Sequence, residues 1–362
     1  MASILSVSTA LPPHRLDATD ALAELRLFWP RLERLLPDEA TLGTRYTCEP
    51  VEALLRRRSL DQLQAAYLEH ARGLAAAAAL GALERAHVEG SQIDLVVSVS
   101  CTGYLVPSLD VHLAPALGLR ADVLRLPITE LGCSGGAAAI AFADRHLRAF
   151  PNQHVLVIAV ELPSLNFQPG DGSLDNLTAA LVFGDGAGAA VLGPAPLAGG
   201  RLEVLGTASH LVPGTAGLLG FDLRSGGFHV VLDRRLPRIV ERELRPAVER
   251  FAGGRDLHDL DFVAAHAAGP RVFEAVERAL GLAPDALQLS RDVFMTVGNT
   301  SSAAIFFTLE RLLLALGPGA RHGLGLGLGP GISIELMDLE WLPSEESRDE
   351  ARLAGERAPV GR

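Results

Sequence analysis

Cysteine is scarce in this 362-residue chain, which has only Cys48, Cys101 and Cys133. An odd, sparse set makes no disulfide framework and shows no paired metal-ligand spacing, so a reducing cytosol is the simplest compartment. Aromatic residues are only 5% of the sequence. Ala, Leu, Gly and Val carry the apolar load instead, and small residues suit close packing of helices on sheets. No apolar run reaches the roughly 18 residues a membrane-spanning helix requires. The most apolar helical stretch, 303–316, contains Glu310 and Arg311 and reads as buried. Residues 1–13 lack the basic start and long apolar core of a secretory signal. Excess positive charge is missing too, the formal net charge being −11. That argues against nucleic acid or an anionic membrane as a partner, though not against an anionic small molecule held by a local basic patch.

What is present is 48% hydrophobic residues, enough for a large core, in a length that allows two or three domains. Residues 20–90 read as mostly helical, with an Ala/Leu-rich stretch over 61–86. Short apolar, largely β-branched runs predict buried strands at 93–100 (IDLVVSVS), 124–131, 155–160 (VLVIAV), 262–265 and 332–339. Helices are predicted at 134–149, 238–251, 271–280 and 300–316. The segment 179–192 (AALVFGDGAGAAVL) reads as strand, glycine turn, strand, and PAPLAGG after Gly193 as a linker. The charged stretch from Pro343 reads as a frayed tail.

One shift of 166 residues, the separation of Cys133 from Asn299, brings several features into register. It carries Val96-Val97 onto Phe262-Val263, Gly103 onto Gly269, Gly132-Cys133 onto Gly298-Asn299 and Ala137-Ala138 onto Ala303-Ala304. Gly184-Asp185-Gly186 resembles Gly327-Leu328-Gly329 at a different spacing. Matches that share one offset point to a duplication. Alternating strands and helices give an α/β fold, and two such halves back to back imply five layers, α-β-α-β-α. We divide the chain into residues 1–195, 196–342 and a charged tail over 343–362. The candidate site lies at the seam.

Cys133 sits in GCSGGAAAI between a strand and a helix. The unpaired N–H groups and dipole of a helix start favour a thiolate. A lone Cys in an Ala-rich segment is more often a small buried thiol, and Cys48 and Cys101 take that reading by default. His266 ends the strand FVAAH, and Asn299, in VGNTSSAA, opens the helix pseudo-equivalent to the Cys133 helix. Alone, each is more often a core histidine or an N-cap. Together, at inner element ends of a duplicated fold, they form a nucleophile with a donor pair for a developing oxyanion.

The segments SCTGYLVPSLD, LPITELGCSGGAAA, LVFGDGAGAAV, GGFHVVLDRRLP, AHAAGPRV, GNTSSA and GLGPG, in this order, resemble the motifs of type III polyketide synthases. These are the chalcone-synthase-like branch of the thiolase superfamily, and the likeness spans roughly residues 90–340. It implies a duplicated thiolase-like fold and an acyltransferase in which Cys133 is acylated from an acyl-CoA. His266 and Asn299 would hold the thioester carbonyl of malonyl-CoA as it loses carbon dioxide. Phe183 and Phe228 fall on the gatekeeper positions. Cys101, Gly269, Pro270, Ser301, Gly329, Pro330 and Gly331, in the same motifs, are expected around the substrate. No cofactor or metal is implied, and a cytoplasmic homodimer with its seam near Val106 is expected.

The chain departs from the pattern in two places. His266 is followed by Ala267-Ala268 where the family often has Pro-Gly, although Gly269-Pro270 keeps the turn. The basic N-terminal cluster for the CoA phosphates is replaced by LLPDEATLGTRY, with Asp38 and Glu39. Arg31, Arg34, Arg45 and Arg271 are the substitutes.

SCTGYLVPSL, SHLVP and GFHVVLD look bacterial and similar to tetrahydroxynaphthalene synthases, with Phe221 at a position where those carry tyrosine. Leu105, Val106, Leu218 and Leu219 suit either a fatty-acyl tunnel, as in alkylpyrone and alkylresorcinol synthases, or plain core. Two rival readings are a ketoacyl-ACP synthase III-like enzyme and a non-catalytic acyl-binding subunit. The first is opposed by His266-Ala267-Ala268 and Gly329-Pro330-Gly331, the second by the presence of all three reactive residues.

Overall fold

The computed structural model describes residues 2–28, 42–194, 200–224, 226–253, 259–317 and 319–343. The first half runs β1 (Ala2–Ala10), β2 (His14–Asp17), α1 (Ala18–Phe28), β3 (Thr44–Thr47), α2 (Val51–Leu54), α3 (Leu60–Ala86), β4 (Leu95–Val99), α4 (Leu109–Leu117), β5 (Leu124–Ile128), α5 (Gly135–Ala149), β6 (Val155–Glu161), α6 (Leu174–Val182) and β7 (Gly186–Gly193). The second runs β8 (Gly200–Leu211), β9 (Leu219–Arg224), β10 (Gly227–Leu232), α7 (Leu236–Ala252), β11 (Phe262–Ala265), α8 (Pro270–Leu280), α9 (Gln288–Val297), α10 (Ala304–Ala315), β12 (Arg321–Gly329) and β13 (Ser333–Pro343).

Hydrogen bonding links nine strands in the order β11-β12-β13-β8-β1-β7-β6-β4-β5. Among the described strands, the ladder passes from one half to the other where Ala2, Ser3 and Ile4 of β1 pair with Val204, Glu203 and Leu202 of β8. Outward from that junction the halves repeat one another. In the first, β1 pairs antiparallel with β7, β7 antiparallel with β6, and β6 parallel with β4. In the second, β8 pairs antiparallel with β13, β13 antiparallel with β12, and β12 parallel with β11. The duplication is therefore a repeat of sheet topology.

Burial explains the layers. Along β6 alternate side chains face opposite ways, as strand geometry requires. Leu156, Ile158 and Val160 pack with Ala71, Ala75, Ala78 and Ala82 of α3 on the outer face. Val155, Val157 and Ala159 pack with α5 and α10 residues such as Ile140 and Ile305 in the interior. Both faces of this strand are covered, so it reads as a continuous apolar run. Helix α3 begins at a capping box between Ser59 and Gln62. It meets the sheet through alanines, which permits close approach.

Two local expectations are corrected. Residues 174–182 form helix α6, so the segment 179–192 is helix, turn and strand. Ser173 accepts a hydrogen bond from the Asn176 N–H as N-cap, and Leu177 and Leu181, four apart, share a buried cluster with Ala21 and Leu22 of α1. Second, the 166-residue shift carries Gly135, the start of α5, onto Ser301, three residues before α10 begins at Ala304. The second half thus spends three extra residues ahead of its helix, between α9 and α10. Most of PAPLAGG and the stretch beyond Pro343 lie outside the described residues.

α5 and α10 touch at Gly136. A β-carbon there would stand 2.1 Å from the Ser302 carbonyl oxygen and 2.9 Å from Ile305 Cγ2. Gly136→Ala is therefore expected to destabilise by about 2–3 kcal/mol through overpacking. Gly73→Ala, exposed in mid-α3 with nothing within 4 Å, is expected to stabilise by about 0.5–1 kcal/mol. Chemical denaturation of both variants checks the pair, and equal effects would refute the helix contact as the cause.

Candidate active site

Cys133 lies in a tight turn, Gly132–Ser134, just ahead of α5. Gly132 takes φ +54°, and a β-carbon there would stand 2.5 Å from the Pro330 ring, so only glycine lets the β12–β13 turn close over Cys133. The Ser134 hydroxyl bonds the Leu131 carbonyl at 2.9 Å and the Ser333 hydroxyl at 2.9 Å, tying this turn to β13. Cys133 is 9% exposed, and its Sγ is 3.3 Å from Ser301 Oγ. Burial pushes the thiol up to about 11; contact with Ser301 acts downward and the Glu161 charge upward. The helix start thus does not by itself yield a thiolate in the dry cavity.

His266 follows β11 and is buried. Its Nδ1 accepts the Leu328 N–H at 3.3 Å. Burial lowers its pKa to about 4, so the ring is neutral, and the amide donation to Nδ1 assigns the other proton to Nε2. Asn299 is held from four directions. Its N–H donates to Val182 O at 3.0 Å and its carbonyl accepts the Gly184 N–H at 3.1 Å, clasping the main chain around Phe183. Its Oδ1 accepts the Ser301 N–H at 2.8 Å, and its Nδ2 donates to Ala268 O at 3.3 Å. This network fixes the amide orientation and leaves one Nδ2–H free. A neutral Nε2–H and an amide N–H are the donor types an oxyanion requires.

A cavity of about 830 Å³ opens onto Cys133 and Ser301, while His266 and Asn299 are not among the residues that line it. Its wall includes Cys133, Cys101, Ser301, Phe183, Phe228 and Pro330. Phe221 is on the wall as well, edge-to-face with Phe228 at 5.7 Å between ring centroids. The remaining expected substrate residues stand behind the wall. Gly269 and Pro270 open α8, with Gly269 beside the Phe294 ring. Gly329 packs on Ser134 and Gly331 on Leu211. The segment 327–331 is the end of β12 and a turn, and of it only Pro330 borders the cavity.

Of the four apolar tunnel candidates, Leu219 lines the cavity, Leu218 and Leu105 pack into core clusters, and Val106 is 81% exposed. Arg45 borders the cavity, but its guanidinium is turned to the backbone rather than presented to CoA phosphates. It is buried, donates to the carbonyls of Leu181, Thr44 and Phe294, and lies 4.5 Å above the Phe294 ring. Burial lowers its pKa to about 9. Arg271 is exposed, while Arg31, Arg34, Asp38 and Glu39 lie outside the described residues.

Sequence reasoning missed Glu161, the last residue of β6. Its fully buried carboxylate accepts from the N–H groups of Cys101 and Thr102 and from the hydroxyls of Thr102 and Ser302. Burial raises its pKa despite these donors. The available signal was an acid closing the apolar run VLVIAVE, which only a set of buried donors can accommodate.

The pKa of His266 yields a prediction. Between the ordinary 6.5 and the folded value of about 4, the unfolded chain binds the extra proton. Stability therefore rises with pH across that window and is lost as pH falls through it. Denaturation between pH 4.5 and 7 should show up to about 3 kcal/mol of such loss in the parent, and a shallower slope in His266→Gln. Equal slopes would show that the imidazole is not held neutral.

Comparison with known proteins agrees with this geometry. Residues 31–196 match the N-terminal domain of chalcone and stilbene synthases, and residues 203–343 match their C-terminal domain. A 1,3,6,8-tetrahydroxynaphthalene synthase of Streptomyces peucetius is 38% identical over 94% of this chain and 93% of its own. A phloroglucinol synthase of Pseudomonas fluorescens is 30% identical over 94% of this chain and 99% of its own. The crystal structure of 1,3,6,8-tetrahydroxynaphthalene synthase from Streptomyces coelicolor superposes with a TM-score of 0.90 at 31% identity, covering 94% of this chain and 100% of that one. Neither the ketoacyl-ACP synthase III-like reading nor the non-catalytic one is favoured by these matches. With both domains matched in order and relatives above 30% identity along nearly its whole length, the chain belongs to the chalcone and stilbene synthase family, the type III polyketide synthases.

Proposed function

We propose that Cys133 takes an acyl group from an acyl-CoA and that His266 and Asn299 drive its extension by malonyl-CoA. In the first step the Cys133 sulfur attacks the acyl-CoA carbonyl, giving the enzyme thioester and free CoA thiol. In the second, malonyl-CoA loses carbon dioxide, and the negative charge that builds on its thioester oxygen is met by His266 Nε2–H and Asn299 Nδ2–H. The enolate carbon then attacks the acyl carbonyl and releases the Cys133 sulfur. Two donors in a dry site are each worth about 3 kcal/mol. The observation that carries this reading is the Asn299 network, which joins Ser301 beside Cys133, Ala268 beside His266 and the main chain at Phe183.

Cys133 comes from residues 1–195, His266 and Asn299 from 196–342, and the site is the meeting of the two halves. CoA thioesters are the substrates and no cofactor takes part. Phe183 and Phe228 act as gatekeepers between the centre and the cavity, which holds the growing chain until it cyclises to a pyrone, a resorcinol or a hydroxynaphthalene. The aromatic products in the relatives' names support the last two. The protein works as a cytoplasmic homodimer, and exposed Val106, Tyr104 and Leu124 on neighbouring segments of the first half support a seam there.

Mass-spectrometric product analysis with malonyl-CoA, alone and with acyl-CoAs from acetyl to palmitoyl, tests this proposal. A pyrone or resorcinol that tracks the added chain, or an aromatic pentaketide from malonyl-CoA alone, is the expected outcome. Cys133→Ala should abolish product, and Asn299→Ala should slow malonyl-CoA decarboxylation about 10²–10³-fold. No product from any CoA thioester, with turnover of ACP-linked donors instead, would overturn the proposal.

A further inference from the structure

We infer that the cavity wall carries a proton acceptor for ring closure: the Ser164 hydroxyl, backed by the buried carboxylate of Asp185, takes a proton from a methylene of the poly-β-keto chain held on Cys133. The inference rests on the polyketide reading, and goes on to assign the residues that turn the linear chain into a carbocycle.

A methylene between two carbonyls is the acidic position of such a chain, and closing a carbon ring there needs a base within reach. His266 and Asn299 do not line the cavity, so the base is sought on the wall itself. Among the described residues that line it, two hydroxyls donate to buried carboxylates, Thr102 to Glu161 and Ser164 to Asp185. Thr102 is only 3% exposed, and its oxygen already takes the Leu162 N–H at 2.9 Å. Ser164, in the turn after β6, is half-buried, and the other contact of its oxygen is the Cys48 sulfur at 3.7 Å. A hydroxyl oxygen has two lone pairs, so Ser164 keeps one for the chain.

Asp185 belongs to the Gly184-Asp185-Gly186 motif just ahead of β7 and is fully buried. Its Oδ1 accepts the Ser164 N–H at 2.9 Å. Its Oδ2 accepts the Ser164 hydroxyl at 2.5 Å and the Cys48 N–H at 2.7 Å. Two backbone N–H groups fix both oxygens, so the carboxylate is oriented on the serine. Burial raises the Asp185 carboxyl above its ordinary range against these donors, which makes it a stronger base than an exposed aspartate.

The protons balance within the site. As the methylene C–H breaks, its proton passes to Ser164 Oγ and the Ser164 proton passes to Asp185 Oδ2. The C–H electron pair forms the new C–C bond to a ketone carbon of the same chain, whose oxygen becomes an alkoxide. That alkoxide takes a proton from Ser164, which recovers its own from Asp185. Ser164 is the catalytic residue, and Asp185 acts through it.

The test is the ratio of carbocyclic product to pyrone, read by mass spectrometry on the full chain with malonyl-CoA and hexanoyl-CoA and normalised to malonyl-CoA consumed. Pyrones close through oxygen and need no carbon base. Ser164→Ala should lower the ratio about 10²-fold, and Ser164→Thr, which keeps the hydroxyl, should restore most of it. Asp185→Asn should lower the ratio as well, and decides the matter if the alanine variant fails to fold. A serine that merely ties the turn to Asp185 would instead lower the melting temperature and reduce all products alike. An unchanged ratio in Ser164→Ala would therefore overturn the inference. Pyrones as the sole products of the parent would overturn it too while leaving the polyketide reading intact, whereas no product from any CoA thioester would remove both.

Discussion

Gly136 has no side chain where the Ser302 carbonyl passes, and α5 and α10 can therefore lie together between the two half-sheets. Everything at the reaction centre depends on that approach. The two helices begin at the turns that carry Cys133 and Ser301, so bringing the starts together sets sulfur against hydroxyl. One step before Ser301, through Thr300, comes Asn299, whose bonds reach Ala268 and the chain at Phe183. A duplicated fold places equivalent helix starts near its pseudo-symmetry axis, and here each half supplies a different chemistry at its own start.

The close-packed middle also sets the electrostatics. With apolar residues on both sides, Cys133 and His266 are short of water, and burial favours the neutral form of each. A neutral imidazole with Nδ1 occupied by a backbone amide is a donor at Nε2, which suits charge that appears only during reaction. The carboxylates in the same layer are satisfied by fixed donors. Glu161 ties the Cys101–Thr102 turn of one half to Ser302 of the other, and Asp185 holds Cys48 and Ser164 through their N–H groups. Such fully satisfied groups specify one arrangement of the turns around the cavity, where a partly satisfied set would leave several.

Much of this was legible in one dimension. Strands β4, β6 and β11 and helices α5 and α10 announce themselves as apolar or small-residue runs, and α7 and α8 by apolar residues at helical spacing among charged ones. The shared offset exposed the duplication, and the motifs around Cys133, His266 and Asn299 named the family. The failures have physical causes. Leu174–Val182 was read partly as strand because its helical face is completed by residues distant in the chain, such as Ala21, Leu22 and Leu42. The three-residue slip between the halves was invisible, since an added turn ahead of α10 leaves the flanking alanines in place. Arg45 read as a surface cation because nothing local reveals the three carbonyls and the Phe294 ring that enclose it.

The sequence by itself determined the fold class and the family, and singled out Cys133, His266 and Asn299 as the candidate centre, because those rest on local pattern and on motif order. The tertiary structure alone decided which residues reach the cavity, that Glu161 is buried against Cys101 and Ser302, that Cys101 shares a hydroxyl with Cys133, and that burial pushes the His266 imidazole toward its neutral form. Each of these depends on burial and on contacts between residues distant in the chain, such as Cys101 with Ser301 and Glu161 with Ser302. Desolvation is a property of the packed interior, and no stretch of sequence carries it before the two halves meet.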